Sequence, residues 1–299
     1  MRVVTLGSGR SGTGKTFVAA NLGVALARRG LRTCLVDLDL SSADLHLLVG
    51  VFRPVRGLLD LLRGGAATLE EVMLPVGNSG LLHLIPGAGE TVRGLDSEEV
   101  NGLIEDIAAL PVDIAIVDLT SGVAQHTLDL FATGNPAWVV ASADPASVRD
   151  ALRYLRLSRL RRTARGSVSL APRQPKVYTS LDDLVHDMNA IRLADGGSAR
   201  SFQPAVVLNR CGADLEPSAD ELMKLLEEEA GAAEQVPLVA QVPEDPSVER
   251  ALASLIPVLE YSPGCAAARA IDELADKITG DALAETTDVS GKIHEPILG

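Results

Sequence analysis

The chain has 299 residues, 46% apolar and only 3% aromatic, with a formal charge of −13. That length suits one large α/β domain or two small ones, and the apolar share is enough for a sheet buried on both faces. The acidity excludes a surface that is basic overall, and three scattered cysteines (Cys34, Cys211 and Cys265) exclude a disulfide framework or a zinc or iron–sulfur site.

Short apolar runs alternate with helical patterns along the chain. The expected strands are Arg2–Leu6, Thr33–Leu38, Leu81–Ile85, Asp113–Leu119, Trp138–Ser142, Ala205–Asn209, Leu238–Val242 and Pro257–Tyr261. Most lack apolar/polar alternation, as strands covered on both faces do. The expected helices are Thr16 to about Arg29, Leu58–Leu62, Glu98–Ala109, Val148–Arg162, Asp220–Glu229 and Ala266–Ile278. The first closes with Arg28-Arg29-Gly30, cations at the negative end of the helix and then a capping glycine. This rhythm predicts an α/β fold, a doubly wound, mainly parallel sheet with helices on both faces, over residues 1–279. Residues 166–202 break the rhythm with Pro172, Pro175 and Gly196-Gly197, around one possible helix at Leu181–Leu193, and read as an insertion. Residues 280–299 read as a disordered tail. The first strand opens at once, leaving no room for a signal peptide before Gly9, and no apolar run nears the ~20 residues of a membrane span. The expected location is the cytoplasm, peripheral to membrane or nucleoid only through a partner.

The chemistry begins between the first strand and first helix. Gly9-Arg10-Ser11-Gly12-Thr13-Gly14-Lys15-Thr16 fits G-x-x-x-x-G-K-[ST], the loop whose backbone N–H groups cradle phosphates; with Phe17 it forms the expected nucleotide-binding stretch. Lys15 would reach the β- and γ-phosphates and the Thr16 hydroxyl would bind Mg²⁺. The second strand ends Val36-Asp37-Leu38-Asp39. Asp39, nearer the exit, suits orienting a water for in-line attack and helping to hold Mg²⁺; Asp37 either joins the nucleotide site or satisfies loop N–H groups. Ile114-Ala115-Ile116-Val117-Asp118 has the Walker B form, with Asp118 supporting the metal, and Gly122 just beyond could present its N–H to the γ-phosphate. Asn209-Arg210-Cys211-Gly212 lacks the acid of a guanine-reading N-K-x-D loop, so Asn209 points to adenine and the nucleotide to ATP.

On these residues the chain resembles the MinD/ParA group of deviant-Walker-A P-loop ATPases, and within it the MinD and FlhG (flagellar-number regulator) subgroups. Further matching pieces are Gly57–Gly64 running to Leu84-Ile85-Pro86-Gly87, Asp144-Pro145 through Arg149-Asp150-Ala151, Val207–Arg210 and Val242-Pro243-Glu244-Asp245. The resemblance implies an ATP-operated switch that positions or counts a cellular structure: two subunits close face to face over two ATP molecules, and slow hydrolysis, stimulated by a partner protein, separates them. It also implies that Asn209, Arg210 and Pro243 frame the adenine. The group's signature lysine falls on Arg10, which keeps the charge and adds a planar donor fork. Arg10 is then either a catalytic finger reaching the partner's ATP or a side chain facing solvent or its own phosphates.

Surface features bear on partners. The acidic tail after Ile278 has almost no apolar stripe and does not read as a membrane-lying helix. Arg149, Arg153 and Arg156 share a helix face, and basic residues continue through Arg159, Arg161, Arg162 and Arg165. That stretch is either a surface for DNA, anionic lipid or an acidic protein, or a solvated helix end. Rival functions are an ATP-binding regulator with little or no hydrolysis, for which Arg10 is the motive, and an ATP-using metabolic enzyme of the same fold.

Overall fold

The central strands form where the apolar runs predict them because those runs are short, contain β-branched residues and are covered on both faces: Thr33–Leu38 and Ile114–Leu119 are buried at every residue. The computed structural model describes residues 1–39, 42–87, 95–166, 202–212, 218–219, 221–224 and 236–289. Among these, eight strands make one sheet: β1 (Arg2–Gly7), β2 (Thr33–Leu38), β3 (Leu74–Val76), β4 (Leu82–Ile85), β5 (Ile114–Leu119), β6 (Ala137–Ser142), β7 (Ala205–Cys211) and β8 (Leu238–Pro243). Their order is β3-β4-β2-β5-β1-β6-β7-β8. All pairings are parallel except β3 against β4. The chain builds outward to one side of β1 and then, from β6, to the other. The C-terminal end of β1 is therefore the switch point where such sheets take ligands.

Among the described residues, nine α-helices cover the two faces: α1 (Lys15–Arg28), α2 (Leu45–Leu48), α3 (Leu58–Leu62), α4 (Ser97–Ala109), α5 (Gln125–Phe131), α6 (Pro145–Gly166), α7 (Pro246–Ala253), α8 (Val258–Tyr261) and α9 (Ala266–Val289). One core layer gathers Phe17, Leu22 and Leu26 of α1 with Leu259 of α8 and Ile271 and Leu274 of α9. The other gathers Leu58, Leu103, Ile107, Phe131, Tyr154 and Leu155 from α3 to α6. Helix starts are fixed by short acids. Asp96 accepts from the N–H groups of Glu98 and Glu99, Asp144 from that of Ser147, and Asp245 from that of Ser247. At the far end of α1, Arg29 bonds both Asp272 (3.0 Å) and Asp276 (2.6 Å) of α9.

Four expectations change. Pro257–Tyr261 is not a strand: Pro257 stands extended at the N-cap, and Val258–Tyr261 turn as α8, with the Leu259 N–H on Asn21 Oδ1 (3.3 Å). A five-residue apolar run is equally a strand or one buried helical turn, and β8 already ends the sheet. The edge strand β3 went unpredicted, since three residues centred on Pro75 carry no strand signal. Helix α6 begins at Pro145, where a proline at the first turn suits the helix. Helix α9 continues through Val289, so helical backbone occupies 280–289, where the sequence reads as a disordered tail; 290–299 lie outside the described residues. The helix read at Asp220–Glu229 appears at 221–224, and 225–229 fall outside the description, as do 167–201 of the expected insertion with the helix read at Leu181–Leu193.

Both sheet edges are blunted. β3 is short and carries Pro75, and on β8 the Val239 carbonyl accepts from the Lys277 ammonium of α9.

Helix α6 presses onto the end of β1. The Tyr154 ring meets Phe131 edge-on at 5.0 Å, and a Cβ on Gly7 would lie 2.6 Å from the Tyr154 hydroxyl. That hydroxyl is fully buried, with no hydrogen-bond partner among the described residues. Tyr154→Phe removes the unpaired group and keeps the ring, so it should stabilise the fold by about 1 kcal/mol. Urea unfolding measures this, and an unchanged or lowered midpoint would show that the hydroxyl has a partner.

Candidate functional site

The loop leaving β1 is gripped from two sides. Gly14 is the N-cap of α1 at φ 87°, and a Cβ there would lie 2.1 Å from Asn209 Nδ2, so only glycine fits. Asn209, at the end of β7, donates to the Thr13 carbonyl at 2.9 Å. On the other side, a Cβ on Gly9 would lie 2.4 Å from the Asp150 backbone carbonyl of α6. No side chain caps the start of α1, which leaves its first N–H groups and positive end for an anion.

Beneath the loop, Lys15 and Asp118 meet at 2.5 Å with side chains 5% and 0% exposed. The Thr16 hydroxyl lies beside Asp118 and favours its charged form. The second carboxylate oxygen, Asp118 Oδ2, is buried with no hydrogen-bond partner among the described residues. Burial pushes the Asp118 carboxyl up and the Lys15 charge pulls it back, with burial the larger effect. Among the described residues no group of three His, Cys, Asp or Glu could hold a metal. A hydroxyl beside one unpaired carboxylate oxygen does fit Mg²⁺, which keeps most of its water and takes phosphate oxygens.

Asp37 lies level with Asp118 across the β2–β5 pairing. Its two oxygens accept backbone N–H groups, from Asp39 at 3.0 Å and Leu45 at 3.3 Å. Of its two readings, the geometry gives the loop-holding one. Burial, then the Asp118 charge, holds its carboxyl well above the usual carboxylate range. Asp39 sits at the strand exit, nearly buried, and accepts from the Ser42 N–H at 3.0 Å.

The other expected residues sort differently. The Gly122 N–H donates to the Ser8 carbonyl at 2.8 Å, so here it serves the phosphate loop's own entry rather than a ligand. Ser8 and Ser121 hydroxyls bond at 3.0 Å, and Thr120 reaches the Leu38 carbonyl at 3.0 Å, lacing the exits of β1, β5 and β2 together. The Phe17 ring is buried in the α1 core layer, so its backbone is what it can offer a nucleotide. Arg210 is exposed at φ 57° on a bulge, and Pro243 pairs with Cys211, so both lie on the rim beside Asn209. The half-exposed Arg10 guanidinium lies 3.9 Å from both Asp144 and Asp150. That pairing joins residues 134 and 140 positions apart, and nothing in the sequence spacing signals it.

A glycine loop between a buried parallel strand and a helix, its Lys bonded to a buried Asp on the neighbouring strand and its Thr beside that Asp, defines a P-loop nucleotide-binding protein. More narrowly, the chain belongs to the CobQ/CobB/MinD/ParA nucleotide binding domain family, whose model matches residues 4–258. An uncharacterized ATP-binding protein of Methanocaldococcus jannaschii is 27% identical over 279 residues, 93% of this chain and 87% of that one. The septum site-determining protein MinD of Bacillus subtilis is 30% identical over 156 residues, and the antiactivator FleN of Pseudomonas aeruginosa 28% over 161. These matches cover 52% of this chain and 58% and 56% of those proteins. Among solved structures, the cell division ATPase MinD of Pyrococcus furiosus superposes with a TM-score of 0.64 at 27% identity, covering 93% and 98% of the two chains. MinD of Pyrococcus horikoshii, complexed with Mg-ADP, gives 0.63 at 26%, covering 95% and 98%.

Two predictions follow from the buried charges. Lys15→Ala leaves Asp118 charged and unpaired, so the nucleotide-free protein should lose about 3–5 kcal/mol by urea unfolding, most of it recovered by adding Asp118→Asn. With its raised pKa, folded Asp37 holds its proton more tightly than the unfolded chain does. Stability of the nucleotide-free protein should therefore fall as pH rises above ~3.9 toward that raised value. In Asp37→Asn that part of the pH profile should flatten; a wild-type profile that rises through the window would contradict it.

Proposed function

We propose that this chain is an ATP-operated, Mg²⁺-dependent switch that dimerises on ATP, hydrolyses it slowly and thereby controls the position or number of a cellular structure. The observation that carries the reading is the buried convergence of Lys15 and Thr16 on Asp118, with Asp39 held at the adjoining strand exit. The named relatives support it: MinD is a septum site-determining protein and FleN an antiactivator.

The charges suggest how the switch works. Without nucleotide, Lys15 neutralises Asp118. The β- and γ-phosphates of ATP offer Lys15 stronger acceptors, and the freed carboxylate, with the Thr16 hydroxyl, would hold Mg²⁺. The metal supplies charge neutralisation on the phosphates. Asp39, fixed by the Ser42 N–H, orients the attacking water, and Asn209, Arg210 and Pro243 border the base. The Gly122 N–H can turn to the γ-phosphate by leaving the Ser8 carbonyl. Regulation by a partner protein, and contact with DNA or an anionic surface through Arg149, Arg153 and Arg156, complete the reading.

Arg10 favours a second reading. Its guanidinium faces two carboxylates of its own chain, and an arginine kept there would leave an ATP-binding regulator that scarcely hydrolyses. ATPase assays with light scattering decide between them. Asp39→Ala should retain ATP binding and the ATP-dependent dimer while hydrolysis falls ~10²–10⁴-fold. Arg10→Ala should lose hydrolysis to a similar or greater degree if the finger acts across the dimer. Equal inertness of wild type and Asp39→Ala would leave the regulator.

A further inference from the structure

Asn209 closes β7 at the C-terminal rim, yet only 5% of it is exposed, while the next residue, Arg210, lies open to solvent. A side chain that reads a base must offer the ligand more polar surface than that. Its amide nitrogen instead faces the phosphate loop and donates to the Thr13 carbonyl at 2.9 Å, in a buried bond that spans 196 positions of chain. The strand does not need this bond. The Asn209 carbonyl already accepts from the Ala143 N–H at 3.1 Å, and its backbone pairs with Ser142 of β6 and Val242 of β8. The side chain is left for the loop.

What the bond does follows from the peptide it grips. In a trans peptide C=O and N–H point opposite ways, so pinning the Thr13 carbonyl to β7 turns the Gly14 N–H away from that strand. Gly12 and Gly14 stand at φ 80° and 87°. Left-handed residues placed among right-handed ones gather successive N–H groups on one side, which is the geometry of an anion nest. Lys15, the next residue, is tied the other way, to Asp118 on β5. In the sheet β5 adjoins β1 on one side and β7 stands two strands away on the other, so the turn around Gly14 is stayed from both flanks. Thr13 is itself only 2% exposed, and its carbonyl would otherwise be buried unpaired.

We infer that Asn209 is a positioning residue for the phosphate loop, and that its share of nucleotide affinity passes through the phosphates and not through the base. It holds the Thr13–Gly14 peptide in the orientation that a polyphosphate needs before the ligand arrives. Without the bond the loop has to be ordered at the moment of binding, and that cost is subtracted from affinity. Direct contact with the base falls to the more accessible rim, Arg210 and Pro243. The inference rests on the ATP-binding part of the reading above.

Inorganic tripolyphosphate, which has the phosphates of ATP and no base, separates the two roles. Calorimetric titrations with Mg²⁺ compare it with ATP and GTP on the wild type and on Asn209→Leu, which keeps the shape and removes the donor. The variant should bind tripolyphosphate and ATP ~10–100-fold more weakly, both by the same factor, with the ATP-to-GTP ratio unchanged. Amide exchange of residues 9–16 without nucleotide should quicken. An unchanged tripolyphosphate affinity beside weakened ATP would assign Asn209 to the base and overturn the inference, as would unchanged affinity for both. Asn209→Ser, polar but too short to reach Thr13, repeats the comparison if the leucine variant melts well below wild type. A wild type that binds neither ATP nor tripolyphosphate would sink the ATP reading itself. The exchange rates need no nucleotide and still decide the case of Asn209, which is lost if they match wild type.

Discussion

The buried contact between Lys15 and Asp118 is the constraint on which the rest of the structure depends. Two charges taken out of water are tolerated only because each neutralises the other. The contact ties the first turn of α1 to the last turn of sheet at β5, so it fixes where the phosphate loop can lie. It also sets the state of Asp37, which shares the buried space with one ammonium and a second carboxylate. Holding its carboxyl far above the ordinary range is the natural result of burial beside a second carboxylate, with one base to offset the two acids. A bound polyphosphate would rewrite that balance, which makes nucleotide occupancy an electrostatic event before it is a conformational one.

The β1 end is where packing meets chemistry. Helix α6 lies against Gly7 through Tyr154 and against Gly9 through the Asp150 backbone, with no room for a side chain at either glycine. The same helix opens with Asp144 and Asp150, the acids that face Arg10. Its outer side carries the exposed Arg149 and Arg153. One rigid element therefore touches the loop that grips phosphate, the arginine in the signature position and the solvent. The lacing of Ser8, Ser121 and Gly122 joins β5 to the same spot.

Much of this was legible in the sequence, for identifiable reasons. Seven of the eight strands announced themselves because parallel strands buried on both faces are continuous apolar runs. The phosphate loop, Asp39 and Asp118 were legible because their chemistry demands fixed residue types at strand exits. What escaped was whatever depends on distant partners. Pro257–Tyr261 folds as a helical turn because Asn21 and Arg28 of α1 receive the Leu259 backbone, which no local pattern records. The three-residue β3 exists because β4 offers it an edge. Phe17 follows the motif so closely that it read as part of the site, whereas its ring belongs to the core beneath. For Asp37 the sequence allowed two readings, and the turn toward Leu45 supplies the N–H that favours the loop-holding one.

The blunted sheet edges have a consequence for how this molecule assembles. A sheet with open borders at both ends can add neighbours indefinitely and so grow into a fibre. Here Pro75 interrupts one border, and on the other the Lys277 ammonium occupies the Val239 carbonyl. Growth along the hydrogen-bonding direction is thereby discouraged on both flanks, while the rim above the strands stays accessible. Any self-association through the sheet would then favour closure over an open-ended chain.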